Sequence, residues 1–276
     1  MADRFLDPQQ WPISLPVAHR HLLLGIIGKL SLRPDLLGLA AGGSFAHGPM
    51  DQYSDLDLKV VVHPRQATAV MGTRRQIAES LGELLVAYTA EHIGLPQMLV
   101  CLYANGPIHV AMNFVTPEEL APEPERPVIL WDRDGTLEEA LAGRHIAVSG
   151  IDWQWIEDRF WVWTHCALTK VGRGELFSAL EYLSFIREKV LGPIVLEISG
   201  GRPYSVRRVE QMAAEYVSAL QGTVAHYDKR EIMAAIQQEV KLYRLLRRAQ
   251  HPREAAEAAV GDYLAAMQRQ TDTEAT

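Results

Sequence analysis

The sequence predicts an α/β (α+β) N-terminal domain with a mixed sheet, followed by an all-α helical-bundle domain. Two observations carry that prediction. Short β-branched runs alternate with helical stretches as far as His145, and almost everything after Ile151 has helical period. With 276 residues, 48% of them hydrophobic, the chain can bury one large core or two ordinary ones. The change of texture puts the boundary between Gly143 and Gly150, giving domains 1–145 and 146–276.

Element by element, "VAHRHLLLGIIGKLSL" has helical spacing, "DLLGLAAGG" reads as a short buried strand ending in glycines, and "DLDLKVVV" reads as a second strand. Residues Gln66 to Ala90 are expected to carry one long amphipathic helix. "PQMLVCLYANGPIHVAMNFV" reads as two strands joined at Ala104-Asn105-Gly106, because Asn-Gly readily takes the positive φ values of a tight hairpin. After a proline-rich acidic connector, "PVILW" is a further strand. Helices are then expected over Trp153–Val171, Glu175–Leu191, Val206–Leu220, Lys229–Arg248 and Pro252–Gln268, broken once by Gly200-Gly201-Arg202-Pro203. These apolar helices can pack within one chain or across a homodimer.

Composition excludes several classes. The stretch "HLLLGIIGKL" is too short to span a bilayer, and no basic segment, apolar core and cleavage site precede it, so a soluble cytoplasmic protein without membrane contact is expected. Cys101 and Cys166 are too few for a disulfide framework and have no metal-ligand spacing; buried reduced thiols are expected. A net charge of −7 disfavours nucleic acid as a partner. From Glu118 to Glu139, eight acids stand against Arg126 and Arg133, which suits a solvated loop or a wall attracting a cationic substrate.

The chemistry-bearing stretch is "GGSFAHGPMDQYSDLDLKVVV". Strand alternation puts Asp55 and Asp57 on one face while Leu56 and Leu58 point to the core. Two such carboxylates repel unless something positive lies between them. A divalent cation answers that need, and Mg²⁺ is commonly held by one or two carboxylates plus substrate phosphates. Upstream, Gly42 and Gly43 leave backbone bare for phosphate oxygens, and the Ser44 hydroxyl adds a donor. His47 and Asp51 can line the same pocket or be solvated loop residues, and Lys59 alternates onto the carboxylate face.

At Gly43-Ser44 through Asp55-Leu56-Asp57-Leu58 the sequence resembles the nucleotidyltransferase superfamily that shares the fold of DNA polymerase β. A small catalytic domain with a C-terminal bundle is similar to the antibiotic nucleotidyltransferases, aminoglycoside-modifying enzymes among them. The resemblance implies that Asp55 and Asp57 hold Mg²⁺, in a one- or two-metal site, on an NTP, most often ATP. A hydroxyl of a small, hydroxylated and in some cases cationic acceptor would attack the α-phosphorus, and pyrophosphate would leave. Such transfer needs positioning and charge neutralisation more than covalent help. It further implies nucleotide contacts from Gly43, Ser44 and Lys170, and a catalytic base or substrate contact from Glu175. Arg173 reads as a phosphate contact or a surface charge, and Glu175 equally as an acid at a helix start.

The family's third carboxylate is missing from "HVAMNFV". Ala111 stands where it is expected, Asn113 lies on the same face, and His109 shares that face with a pKa suited to proton transfer. Either the base comes from the helical domain or transfer is weak. Two alternatives follow: a nucleotide-binding module without turnover, and a protein-modifying enzyme of toxin-antitoxin type. A rival motif is "PVILWDRDGTL", which resembles the first motif of haloacid-dehalogenase-like phosphatases, with Asp132 as nucleophile and Asp134 as acid/base. The further strands that fold needs are absent downstream, where "IAVSG" is the best candidate. Its plain reading is a turn at Asp134-Gly135 with Thr136 capping a helix. A dinucleotide-binding glycine pattern is absent.

Overall fold

The computed structural model describes residues 3–104, 106–120, 126–143 and 150–273. The chain divides into two compact units, Met1–Val148 and Ser149–Thr276.

In the first unit the described residues form a seven-stranded mixed sheet in the order β1-β7-β2-β3-β6-β5-β4. Along the chain these are β1 (Arg4–Phe5), α1 (Val17–Leu30), β2 (Leu36–Ala41), α2 (Gly43–His47), β3 (Leu56–Val62), α3 (Ala67–Leu81), β4 (Leu84–Ala90), β5 (Leu95–Tyr103), β6 (Ile108–Val115), β7 (Val128–Asp132) and α4 (Thr136–Leu141). β3 and β6 run parallel, in the register Leu56–Val110 to Val61–Val115, while the other pairs are antiparallel.

The two sheet faces have different jobs. Leu56, Leu58, Val60 and Val62 alternate onto the face that meets Leu23, Ile26 and Leu30 of α1 and Val70, Ile77 and Leu81 of α3. On the opposite face Val61 and Val115 are covered by Leu137 and Leu141 of α4. The acid end of β3 lies on this second face, two strand repeats before Val61.

Two expectations for this unit are corrected. The predicted helix over Gln66–Ala90 ends at Leu81, and Leu84–Ala90 is the edge strand β4. Gly82 interrupts the helix, and Val86, Tyr88 and Thr89 suit a strand once β5 offers a ladder to join. Thr136 does not cap α4: its hydroxyl donates to Arg133 O, and the cap is Asp132, whose carboxylate accepts from Leu137 N at 3.0 Å and Glu138 N at 3.1 Å. The turn at Asp134-Gly135 forms with both φ values positive (58° and 81°), closed by Thr136 N to Arg133 O. The β5–β6 turn includes Asn105, and "IAVSG" covers 146–150; Asn105 and 146–149 lie outside the described residues.

The second unit is helical: α5 (Trp153–Gly172), α6 (Leu176–Ile186), a π-helical turn (Arg187–Leu191), α7 (Gly192–Ile198), α8 (Val209–Met212), α9 (Val217–Gln221), α10 (Lys229–Leu246) and α11 (Glu254–Thr273). The helix expected over Glu175–Leu191 widens into the π turn at Arg187 and continues to Ile198. The one expected over Val206–Leu220 is two short helices with a 3₁₀ turn between them, preceded by left-handed Ser205 and Arg208, which no straight helix accommodates. Phe160, Leu183, Val190, Ile236 and Val240 lie at the centre of a separate hydrophobic core. Among the described residues no helix is long and apolar enough to cross a membrane.

Candidate functional site

Asp57 is near the start of β3 and Asp55 two residues earlier, so the alternation of the strand brings both to the face opposite α1 and α3. The turn from β2 into α2 is tied to this acid pair. Gly42 N donates to Asp57 O at 2.9 Å, which joins the end of β2 to the start of β3. Gly43 has φ +54°, and a Cβ built there would overlap Asp57 Oδ2 and lie 3.3 Å from Cγ. Glycine is required twice over, by its left-handed backbone and by the carboxylate lying where a side chain would go. Ser44 follows, mostly buried.

The turn is anchored from behind. Phe45 packs edge-on against Trp11 with ring centroids 6.0 Å apart, and the Arg20 guanidinium lies over the Trp11 ring, 5.4 Å from its centroid. The loop between α2 and β3 is pinned by buried His19, whose Nε2 donates to Ser54 O at 2.7 Å, and by Ser14 Oγ, which accepts from Met50 N at 2.9 Å. Asp51 is a loop-forming residue: its Oδ1 accepts from Tyr53 N and from Ser54 Oγ. His19 and Ser14 escaped the sequence reading, because a histidine inside an apolar helical repeat carries no signal of what it will bond.

Beside the acids, β6 presents His109, Ala111 and Asn113. Ala111 is the register partner of Asp57, and Asn113 that of Lys59. His109 Nδ1 lies 3.7 Å from Asp55 Oδ2, half-exposed. The Asp55 carboxylate raises the imidazole above its ordinary 6.5, with Asp57 adding to the pull and partial burial opposing it. Among the described residues no three histidine, cysteine, aspartate or glutamate side chains converge into a ready metal cage. The donor set fits one hard divalent ion: two carboxylates lie on one face, Asp57 is held against Gly43, and waters and phosphate oxygens would complete such a shell. A third carboxylate for a second ion is absent from the position opposite Asp57, which Ala111 fills.

In the helical unit, Lys170 and Glu175 pair with each other at 2.5 Å. That hydrogen bond, with the charges of Lys170 and Arg173, holds the Glu175 carboxyl below its ordinary value. Glu175 sits at the N-cap position of α6 without a capping bond from its side chain.

In the phosphatase-like "DRDG", Asp132 and Arg133 hold local structure. Asp132 caps α4, and Arg133 clamps the turn from α1 into β2 through Ser31 O, Arg33 O and Leu36 O at 2.6–3.0 Å. The acidic stretch is likewise partly spent on local structure: Glu119 accepts from Thr116 N and Glu138 pairs with Arg126 at 2.6 Å, while 121–125 lie outside the described residues. Cys101 is buried, which pushes its thiol up to about 12; Cys166 is half-buried.

No protein-family model matches the chain, and no curated protein does. Among solved structures the chain is similar to an aminoglycoside 6-adenyltransferase from Bacillus subtilis, over 91% of this chain and 96% of that one, at 11% sequence identity and a TM-score of 0.33. So loose a likeness transfers no chemistry, and the reading of the site rests on its own geometry.

Proposed function

We propose that this chain is a Mg²⁺-dependent nucleotidyltransferase that moves a nucleoside monophosphate from an NTP, ATP first among them, to a hydroxyl of a small molecule and releases pyrophosphate. The observation that carries the reading is the contact between halves of the motif: Asp57 lies against the Cα of Gly43, so the glycine-serine turn and the acid pair form one surface.

In this reading Asp55 and Asp57 hold the ion, which when bound neutralises charge on the phosphates. The Gly43–Ser44 backbone and the Ser44 hydroxyl bind phosphate oxygens. Lys170 is the candidate further phosphate contact and Glu175 the candidate base, and each must first release the other. His109, 3.7 Å from Asp55 Oδ2, is a second candidate proton acceptor.

The test is to incubate the protein with Mg²⁺, labelled ATP and pools of aminoglycosides, lincosamides and cell lysate, alongside Asp57→Ala. Acceptor-dependent pyrophosphate release that vanishes in the variant is the expected result. One observation favours a second reading, a nucleotide-binding module without turnover: Ala111 in place of an acid opposite Asp57. Mg²⁺-dependent nucleotide binding with no product in any pool would select it. Phosphomonoester hydrolysis that needs Asp132 and tolerates Asp57→Ala would overturn both.

A further inference from the structure

The helical unit holds an open-mouthed cavity of about 430 Å³, lined by its own residues. That volume lies within the range of small-molecule sites, about 300–1,000 Å³. Three segments build it. The first turn of α5 brings Trp155 and Ile156, and Asp152 caps that turn by accepting from Trp155 N at 2.9 Å. The π-helical turn brings Glu188 and Lys189, where the widened backbone departs from the α-helical ladder. Pro203, Tyr204 and Ser205 close the third side. This loop lies directly on the helix: a Cβ on Gly192 would overlap Ser205 O, and Ser205 itself holds φ +55°, a left-handed conformation unfavourable for any residue with a Cβ. Packing therefore holds the wall in place against a local backbone preference.

Walls and charges together define a ligand class. Trp155 is 42% exposed and Tyr204 71%, so the cavity offers aromatic surface that an apolar side chain would cover. Glu188 and Lys189 form an ion pair at 2.8 Å, each half-exposed, and Asp152 adds a second carboxylate. We infer that this cavity binds the zwitterion of an α-amino acid with an apolar side chain: its ammonium goes to Glu188 and Asp152, its carboxylate to Lys189, and its side chain against Trp155 and Tyr204. The inference is independent of the nucleotidyltransferase reading. Both charges of an α-amino acid hang from one carbon, about one hydrogen-bond length apart, and so match the Glu188–Lys189 pair laid head to tail. A ligand with positive charge alone meets Lys189 and finds the Arg159 guanidinium already over the Trp155 ring, 4.3 Å from its centroid. One with negative charge alone meets two carboxylates. Only the zwitterion sets each of its charges against an opposite one.

The experiment titrates the full chain by calorimetry with phenylalanine and with leucine. Each probe is used as the free amino acid, as its amide, which keeps only the positive charge, and as its N-acetyl form, which keeps only the negative one. At least one free amino acid is expected to bind wild type about tenfold more tightly than its own amide and N-acetyl forms. In Lys189→Met that amino acid loses its advantage over the amide, and in Glu188→Gln its advantage over the N-acetyl form. Tyr204→Ala weakens all three forms together, since the side-chain contact is common to them. Glu188, Lys189 and Tyr204 are each about half in water or more, so the three variants should melt with wild type, and thermal melting checks this. The comparison among probes on wild type needs no variant at all. The inference is overturned if neither free amino acid binds, or if either charge preference survives the variant that should remove it. It is equally overturned if an amide matches its parent in wild type, which marks a site for an amine, or if an N-acetyl form does, which marks a site for a carboxylate.

Discussion

Gly43 shows how one atom can decide a site. Gly43→Ala places a methyl group against Asp57 Oδ2 and holds a side chain at φ +54°, a conformation that costs about 1–2 kcal/mol for an L-residue. We expect the variant to melt lower and to bind Mg²⁺–α,β-methylene-ATP about tenfold more weakly, a factor equal to about 1.4 kcal/mol; calorimetry reads the second effect directly. His109 offers a test of the local field. Its ring should titrate above 6.5 by NMR in the metal-free protein, and fall back towards 6.5 in Asp55→Asn. Because the folded-state pKa is the higher one, the pair's contribution to stability is complete below 6.5 and disappears as pH rises through the folded value. With half its side chain in water that contribution is small.

At the scale of elements, the β7–α4 junction is a lesson in motifs. Asp132 looks like a phosphatase nucleophile by sequence, yet its two oxygens are occupied by the first free N–H groups of α4. Asp132→Ala should cost about 0.5–2 kcal/mol, the range for a lost helix cap, visible as a lower melting temperature. Mg²⁺–nucleotide binding should be unaffected, whereas a phosphatase reading requires loss of hydrolysis. The β4 edge makes a related point. "LLVAYTA" could continue a helix or form a strand, and β5 settles it by offering a ladder. Arg75 of α3 donates to Ala87 O at 3.2 Å and so covers a carbonyl of that edge.

At the scale of the molecule, each unit carries its own hydrophobic core. The helical unit is organised around Glu157, fully buried on α5. Its oxygens accept from Trp161 Nε1 at 3.0 Å, Tyr243 OH of α10 at 2.5 Å and Arg253 N just before α11 at 2.9 Å. Burial acts to raise this carboxyl, and those bonds with the Arg247 charge outweigh it, so the group sits below its ordinary 4.5. A depressed folded-state pKa means that the stabilisation is present above 4.5 and is lost as pH falls through the lower folded value. Glu157→Leu should destabilise the unit by about 3–5 kcal/mol, because three donors and Arg247 lose their buried acceptor. It should also flatten the acid limb of a melting-temperature profile against pH.

Much of this was legible from local chemistry. Alternation alone placed Asp55 and Asp57 on one face and the leucines between and after them in the core, since a strand allows no other arrangement. Strands at Leu36–Ala41, Leu95–Tyr103, Ile108–Val115 and Val128–Asp132, and the long helices α5 and α10, likewise followed from period and composition. Tertiary structure decided the rest. Whether Leu84–Ala90 became helix or strand depended on a partner found in space, and whether Asp132 capped or catalysed depended on where α4 began. That Lys170 meets Glu175, that Ala111 faces Asp57, and that the Asn113 oxygen is left without a partner are facts of register and packing. A sequence names which groups a chain owns and which side of a strand or helix they take; the energy of a buried polar group is set by its neighbours, and those are chosen only when distant segments meet.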